Sequence, residues 1–295
     1  MDQFALVREE FLADGAGRGL SANTVRMYRD ALKSFEAWAA GAGLKGVSQV
    51  QVSHLRTYMA HSLTEISPGG VHARMRPLRT FLRWCVEEEI LEVDPTKRLK
   101  LPKVPDPDVK VVRPADFKKM VARVRLGNKP LRDLALLHIL FDSGLRASEL
   151  CALTLPDVDP SGYLRIRQGK GGRSRSVPMG RQTVKAVRAY LLQEREETPL
   201  DALFLISEEE ALNTNALGKM LYRLCQNAEL PNFSPHAFRR GMAVEFMRQG
   251  GDQFALQRIM GHTSLKMTGV YAKLEAGDLK DIHRRASPVG SALGD

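Results

Sequence analysis

Hydrophobic residues recur at helical spacing through the first hundred residues of the chain. In "SANTVRMYRDALKSFEAWAA", apolar side chains stand three or four positions apart from Val25 to Phe35, which is the spacing of one buried helical face. Either Ser21 or Asn23 can serve as the N-cap of this segment. The pattern predicts an amphipathic helix here and a helical N-terminal region as a whole.

A second amphipathic helix is predicted from about Ser67-Pro68 to about Ile90. Its buried stripe consists of Leu78, Phe81, Leu82 and Cys85. Its opposite face carries three arginines with no acid between them, namely Arg76, Arg79 and Arg83. Like charges at this spacing repel one another unless an anion lies against them. We therefore predict contact with a polyanion along this face, with an ordinary solvated face as the alternative.

A proline-rich segment separates two regions of clear periodicity. Residues 101–109, "LPKVPDPDV", hold three prolines in nine positions, and proline interrupts a helix. The predicted organisation is a helical domain, a linker, a second domain and a polar tail. Their limits are residues 1–103, 104–110, 111–286 and 287–295.

The second domain is predicted to be mainly helical with one small antiparallel β-sheet. "GYLRIRQGKGGRSRSVPM" has the pattern of strand, glycine-rich turn and strand, with Leu164, Ile166 and Val177 as its apolar positions. Gly144 is a helix stop, after which "GLRASELCAL" begins a new helix. The other predicted helices lie at about 114–125, 130–142, 181–195, 214–228, 235–249, 252–260 and 264–274.

Charge and composition narrow the class of protein. The chain has 295 residues and a formal net charge of +10, so two domains and a polyanionic partner are expected. Three cysteines lie far apart among apolar neighbours, which favours core thiols in a reducing compartment over disulfides or a metal site. The N-terminus lacks a basic and apolar targeting segment. We expect a cytoplasmic protein that does not bind a membrane.

The segment "SPHAFRRG" carries the first candidate chemistry. His236 and Arg239 stand three apart near the start of a helix that Ser234 caps and Pro235 opens. Backbone N–H groups at a helix start and a guanidinium together form an anion site that cannot be titrated away at neutral pH. Arg146 in "GLRASEL" occupies a similar place. Two such arginines could hold both non-bridging oxygens of one phosphodiester.

Three further residues complete an ordered set. Lys170 lies in the glycine-flanked turn "QGKGG", His262 in "MGH", and Tyr271 nine positions after that histidine. Taken singly, each has an ordinary structural explanation. A surface arginine or lysine, a satisfied core histidine and a half-buried packing tyrosine are all common.

Taken together and in order, these segments resemble the tyrosine recombinase family, the group of phage integrases and Xer proteins. The resemblance covers nearly the whole chain, because "SANTVRMYRDALKSFEAW" and "MRPLRTFLRWCVEEEILEVDP" resemble that family's core-binding domain. It implies a SAM-like helical core-binding domain and a catalytic domain that close around DNA as a C-shaped clamp.

The resemblance also implies the role of each residue. Tyr271 would attack a DNA phosphate and form a 3′-phosphotyrosine, and Arg146 and Arg239 would hold that phosphate. Lys170 would protonate the departing 5′ oxygen. The remaining two residues of the set, His236 and His262, would assist, and the division between proton acceptor and hydrogen-bond donor is left open. No metal, ATP or other cofactor is expected.

Two positions depart from the family's pattern. Arg240 stands where a second histidine often follows the motif arginine, and Gly269 lies two before the tyrosine where threonine or glutamine is commoner. A helical glycine costs up to about 1 kcal/mol relative to alanine. Gly269 could therefore make the placement of Tyr271 depend on a partner subunit.

DNA contacts are predicted outside the catalytic set. Basic side chains of the hairpin, including Arg173 and Arg175, would follow the DNA backbone. Lys219 and Arg223, spaced i and i+4 on one helix, are the candidates for reading bases in the major groove, with a solvated helix face as the alternative.

The resemblance further implies a homo-tetramer on two recombination sites, linked by a C-terminal segment at about 277–286. A related recombinase could take part. Dimer resolution, element integration and transposon resolution all remain open as biological roles. A type IB topoisomerase and a non-catalytic DNA-binding protein are the alternatives, and the first domain argues against the former.

Overall fold

The computed structural model describes residues 3–104, 110–167 and 174–261. The chain divides into two compact units, Met1–Asp108 and Val109–Asp295. The fold is mainly helical with small antiparallel sheets in the second unit, as the sequence predicts. The predicted helix at 264–274 lies outside the described residues.

The first unit is a helical domain. Its helices are α1 (Gln3–Gly17), α2 (Ala22–Gly41), α3 (Val52–Glu65) and α4 (Pro68–Glu87), with a short 3₁₀ turn at Val47–Gln49. Aromatic and aliphatic residues from all four helices form one buried core. Of the two candidate caps, Ser21 is the N-cap of α2, and its side chain accepts a hydrogen bond from the Thr24 amide at 3.2 Å.

Helix α4 ends three residues earlier than the sequence predicts. Glu89 has a positive φ of 59°, and the amides of Ile90 and Leu91 both turn back to the Cys85 carbonyl at 2.8 and 3.0 Å. The predicted apolar stripe is buried. The apolar character of Ile90 and Leu91 therefore belongs to the turn that closes the core and not to another turn of helix.

The second unit contains seven helices and two small sheets among its described residues. The helices are α5 (Pro114–Val124), α6 (Pro130–Ser143), α7 (Ala147–Cys151), α8 (Arg181–Gln193), α9 (Thr214–Asn227), α10 (Pro235–Arg248) and α11 (Gln253–Met260). The strands are β1 (Val158–Asp159), β2 (Tyr163–Ile166), β3 (Arg175–Pro178), β4 (Leu205–Ser207) and β5 (Glu210–Ala211). A 3₁₀ turn, Leu155–Asp157, precedes β1.

The predicted hairpin is confirmed as strands β2 and β3. They pair antiparallel with Leu164 opposite Val177, and both of these side chains are fully buried. The sheet is larger than predicted, because β1 pairs with β2 on its other edge. A separate two-stranded sheet, β4 and β5, was not predicted. The three additional strands, β1, β4 and β5, have only two or three residues each, which is too short for an alternating pattern to show.

A glycine lets α10 approach the segment that precedes α5. A Cβ at Gly241 would collide with the Val112 carbonyl oxygen and would lie 3.1 Å from the Phe141 ring. The Val112 amide in turn donates to the Ala237 carbonyl at 3.3 Å. Close backbone contact of this kind requires a residue without a side chain. It places the N-terminal half of α10, with His236 and Arg239, beside α6.

Candidate active site

Arg146 lies at the N-cap position of α7, as the sequence predicts. Helix α6 ends at Ser143, and Gly144 follows in the left-handed conformation with φ of 59°. A glycine there lets the chain leave the helix sharply. The Arg146 side chain is 26% exposed and donates to the carboxylate of Glu149 at 2.7 Å.

Glu149 is a central residue that the sequence analysis missed. Its residue exposure is 5%, and its carboxylate accepts from the Arg146 amide at 2.9 Å in addition to the Arg146 side chain. Arg175 supplies two more hydrogen bonds, at 3.0 and 2.9 Å. The spacing of Glu149 from Arg146, three residues later at a helix start, is that of a capping residue. That spacing could have drawn attention to it.

The surrounding cations keep Glu149 ionised. Burial alone would raise the pKa of this carboxyl, but the hydrogen bonds and charges of Arg175 and Arg146 outweigh it and lower the pKa to about 2. A buried carboxylate is tolerated where such donors satisfy it. Glu149 thus holds two guanidinium groups in one place.

Arg239 is buried rather than exposed. Its relative exposure is 2%, and it is among the largest fully buried side chains of the described residues. Its two terminal nitrogens donate to the Gly144 carbonyl at 2.6 Å and to the Met260 carbonyl at 2.7 Å. The alternative of a surface arginine is therefore wrong for Arg239. The residue that it contacts, Gly144, lies two positions before Arg146 in the chain.

His236 lies at the second position of α10, next to Pro235, and its side chain is partly exposed and partly covered by neighbouring atoms. Ser234 is the N-cap residue, although its side chain makes no capping hydrogen bond. Partial burial lowers the pKa of His236, and the charges of Arg240, Arg239 and Arg146 lower it further. The imidazole is therefore held in its neutral form, which can accept a proton.

The described part of the chain thus brings together three of the six predicted catalytic residues, namely Arg146, His236 and Arg239. The other three, Lys170, His262 and Tyr271, lie outside the described residues, as does Arg173. Helix α11 ends at Met260, and Gly261 follows with a left-handed φ of 62°. The residue that comes next in the sequence is His262.

The structure changes the interpretation of Arg175. The pattern of the hairpin predicts that Arg175 contacts the DNA backbone, but its side chain is only 12% exposed. Besides the two bonds to Glu149, its Nε donates to the Ile259 carbonyl at 2.9 Å. Its polar atoms are therefore directed to protein partners, and this geometry does not support a phosphate contact.

The three arginines of α4 differ from one another. Arg76 and Arg83 are exposed, but Arg79 is half-buried, and its guanidinium donates to the Leu99 carbonyl. Arg79 therefore fastens the segment after α4 to that helix, contrary to the prediction that all three share one outward face. Of the three, only Arg76 and Arg83 are exposed enough for the predicted contact with a polyanion.

The predicted base-reading residues of α9 are accessible. Lys219 and Arg223 are both exposed and line an open groove of about 480 Å³ along this helix. Thr214, Asn215, Gly218 and Tyr222 line the rest of it. The groove presents hydroxyl, amide and cationic groups on one face.

The described residues contain neither a helix that could span a membrane nor a cluster of side chains that could hold a metal ion. None of the helices there is both long and apolar enough to cross a membrane. Within the same ranges, no cluster of three or more His, Cys, Asp or Glu side chains could hold a metal ion.

Comparison with known proteins gives matches over both units. Residues 110–277 match the Phage integrase family, and residues 9–89 match the N-terminal SAM-like domain of phage integrases. The tyrosine recombinase XerD of Pseudomonas aeruginosa is 30% identical over 288 residues, which cover 92% of this chain and 94% of that protein. XerD of Ralstonia nicotianae is 29% identical over 280 residues, with coverage of 92% and 90%.

Solved structures agree on the fold. The Tn1549 transposon integrase in complex with circular intermediate DNA has a TM-score of 0.74 at 21% identity, covering 90% of this chain and 94% of that one. The XerH recombinase bound to its difH substrate has a TM-score of 0.69 at 19% identity, covering 95% and 83%. Because one family model spans more than half of the chain and a 30% identical relative spans nearly all of it, the chain belongs to the phage integrase family of tyrosine recombinases.

Proposed function

We propose that this protein is a site-specific recombinase that cuts and rejoins DNA strands through a covalent bond to Tyr271. The observation that carries the proposal is the cluster of Arg146, Arg239 and the neutral His236. Two cations and a proton acceptor are the groups that the transfer of a phosphodiester to a phenol requires. Strand exchange between two sites then passes through a four-way junction.

The chemistry follows from where charge develops. The phenolic oxygen of Tyr271 attacks the phosphorus, and the bond to the 5′ oxygen breaks as the 3′-phosphotyrosine forms. His236 is the proposed acceptor of the phenol proton, since its lowered pKa leaves it neutral. Lys170 is the proposed donor of a proton to the 5′ oxygen, and His262 of a hydrogen bond to the phosphate. Fixed cations are worth most where negative charge grows in the transition state.

Arg146 and Arg239 are suited to different parts of this task. Arg146 is partly exposed and donates through one nitrogen to Glu149, so the rest of its fork can face a phosphate. Arg239 adds a permanent positive charge that two backbone carbonyls hold in position. Removing one transition-state donor typically costs roughly 100- to 1000-fold in rate.

A suicide substrate tests the reaction. DNA that crosslinks to the protein in cells is sequenced to identify the site, and a duplex of that site is nicked beside the cleavage position. The short 5′-hydroxyl fragment then diffuses away, and the protein–DNA adduct accumulates on a denaturing gel. Tyr271→Phe is expected to form no adduct, whereas Tyr163→Phe, an exposed tyrosine on β2, is expected to match the wild type.

The outcomes separate the alternatives. An adduct together with strand exchange between two sites supports the recombinase. Relaxation of any plasmid without site preference would select a type IB topoisomerase. An adduct that persists in Tyr271→Phe would refute the proposed nucleophile.

We also propose that α9 reads bases, through Lys219 and Arg223. Both are exposed along one groove. Good base contacts are worth about 1–3 kcal/mol of discrimination each, so Lys219→Ala should reduce the preference for the site over a scrambled duplex by roughly tenfold. Lys185→Ala, an exposed lysine on α8, is the matched control. Equal losses on both duplexes would show that Lys219 contacts only the backbone.

Backbone contact is the proposed role of Arg76 and Arg83. Each phosphate contact that is lost should reduce the slope of log K against log salt by about 0.9.

A homo-tetramer on two DNA sites, joined through the segment at about 277–286, completes the proposal. We also propose that the two domains comprise residues 1–103 and 111–286, on either side of the proline-rich segment.

A further inference from the structure

Arg175 connects two parts of the second unit that are far apart in sequence. Its Nη1 and Nη2 donate to the two oxygens of Glu149 on α7, at 3.0 and 2.9 Å. Its Nε donates to the Ile259 carbonyl in the last turn of α11, at 2.9 Å. A guanidinium is planar and its donors are fixed relative to one another. Holding both partners at once therefore fixes α7 relative to the end of α11.

Through Glu149 the connection reaches Arg146. Each carboxylate oxygen of Glu149 accepts one hydrogen bond from Arg175 and one from Arg146. An ionised carboxylate has about four lone-pair sites, and here four donors occupy them. A shift of the Arg175 fork would therefore move the carboxylate and, with it, the guanidinium of Arg146.

The end of α11 is held by two arginines at consecutive residues. Arg175 binds the Ile259 carbonyl, and Arg239 binds the Met260 carbonyl at 2.7 Å. A Cβ at Gly261 would lie 3.0 Å from Nη1 of Arg175, so the arginine packs closely against this turn. The backbone just before His262 is thus anchored both to β3, which carries Arg175, and to α10, which carries Arg239.

We propose that Arg175 is a positioning residue for strand cleavage, which sets the Arg146 guanidinium and the end of α11 in one fixed arrangement. This inference rests on the proposed function. It differs from the sequence-based assignment of Arg175 to the DNA backbone, because the two roles affect different steps. A backbone contact strengthens DNA binding, whereas a positioning residue acts on the rate once DNA is bound.

The two steps are separated with Arg175→Ala, Arg175→Lys and a matched control, Arg123→Ala. Arg123 is an exposed arginine in the last turn of α5, outside the hairpin that is predicted to contact DNA. For each variant, the dissociation constant for the site duplex is measured at several salt concentrations. The single-turnover cleavage rate is then measured at saturating suicide substrate, below the unfolding temperature of the variant. Lysine keeps the charge but cannot form the two-pronged bond, and it serves if the alanine variant does not fold.

The expected result is a loss of rate without a loss of affinity. A displacement of about 1 Å in a catalytic group can cost roughly 100-fold, so both Arg175 variants should cleave about 100-fold more slowly while their dissociation constants stay within about twofold. Methylguanidinium added to Arg175→Ala should restore part of the rate, compared with equal sodium chloride. Arg123→Ala should keep both the wild-type affinity and the wild-type rate at saturation.

Other results would overturn the inference. Weaker binding, a smaller slope of log K against log salt and an unchanged rate at saturation would show instead that Arg175 contacts the DNA backbone. An unchanged rate and an unchanged affinity would remove any role for it in the reaction. Adduct formation by the wild type tests the proposed function separately, because the inference depends only on the ratio of variant to wild type.

Discussion

Replacement of Glu149 by glutamine should destabilise the second unit strongly at neutral pH. The substitution keeps the size of the side chain, removes its charge and turns an NH₂ group toward arginine donors. Glu149 is 5% exposed and accepts four hydrogen bonds from Arg146 and Arg175. The neutral amide can satisfy only part of that set.

The pKa of Glu149 sets the size of the effect. Its pKa falls from 4.5 to about 2 in the folded protein, and each pKa unit corresponds to about 1.36 kcal/mol. The ionised carboxylate therefore contributes about 3 kcal/mol to the free energy of unfolding. Because the folded pKa is lowered, this contribution is fully present above pH 4.5 and is lost as the pH falls toward 2.

Urea unfolding followed by far-ultraviolet circular dichroism, at pH values from 7 down to 3, measures the loss. Both tryptophans, Trp38 and Trp84, lie in the first unit, so their fluorescence follows that unit as an internal reference. Glu209→Gln, an exposed carboxylate before β5, is the control and should change stability by less than about 0.5 kcal/mol. A difference below about 1 kcal/mol at pH 7, or one that does not shrink at acid pH, would refute the reasoning.

Three further predictions address packing, titration and assembly. Gly241→Ala should cost about 1–3 kcal/mol in unfolding experiments because the methyl group would collide with backbone, whereas Gly218→Ala, with open space around its Cβ, should gain about 0.5–1 kcal/mol. Arg240→Ala should raise the pKa of His236 in an NMR titration and move the acid limb of the cleavage rate to higher pH, and replacement by lysine should not. A chain that ends before Ala276 should bind its site without cooperativity in gel-shift titrations, and cooperative binding would contradict the proposed assembly.

Local features of the structure were predictable because their causes lie within a few residues. The Ser21 cap, the stop at Gly144 and the apolar positions of the β2–β3 hairpin depend on spacing and backbone conformation alone. Helix α4 was predicted too long because Ile90 continues the apolar pattern. The left-handed Glu89 that ends the helix leaves no trace in that pattern.

The roles of the arginines were harder to predict because they depend on distant partners. Glu149 and Arg175 are 26 positions apart, and Ile259 is 84 positions from Arg175. In sequence, Arg175 resembles its exposed neighbours in the hairpin, and Arg79 resembles the exposed arginines of α4. Arg175 and Arg79 differ from those neighbours because they are less exposed and donate to backbone carbonyls. Both properties arise only when elements that are distant in sequence pack together. The assignments of Lys170, His262 and Tyr271 rest on the resemblance and remain predictions.

The acceptors of Arg239 are backbone atoms, and this limits how the site can be altered. The Gly144 and Met260 carbonyls lie at the ends of α6 and α11, where helix dipoles concentrate roughly half a negative charge. No substitution deletes a carbonyl, so alanine scanning would pass over the groups that hold this guanidinium. A substitution can move these carbonyl groups only by changing the backbone conformation, as a side chain at the left-handed Gly144 or Gly261 would.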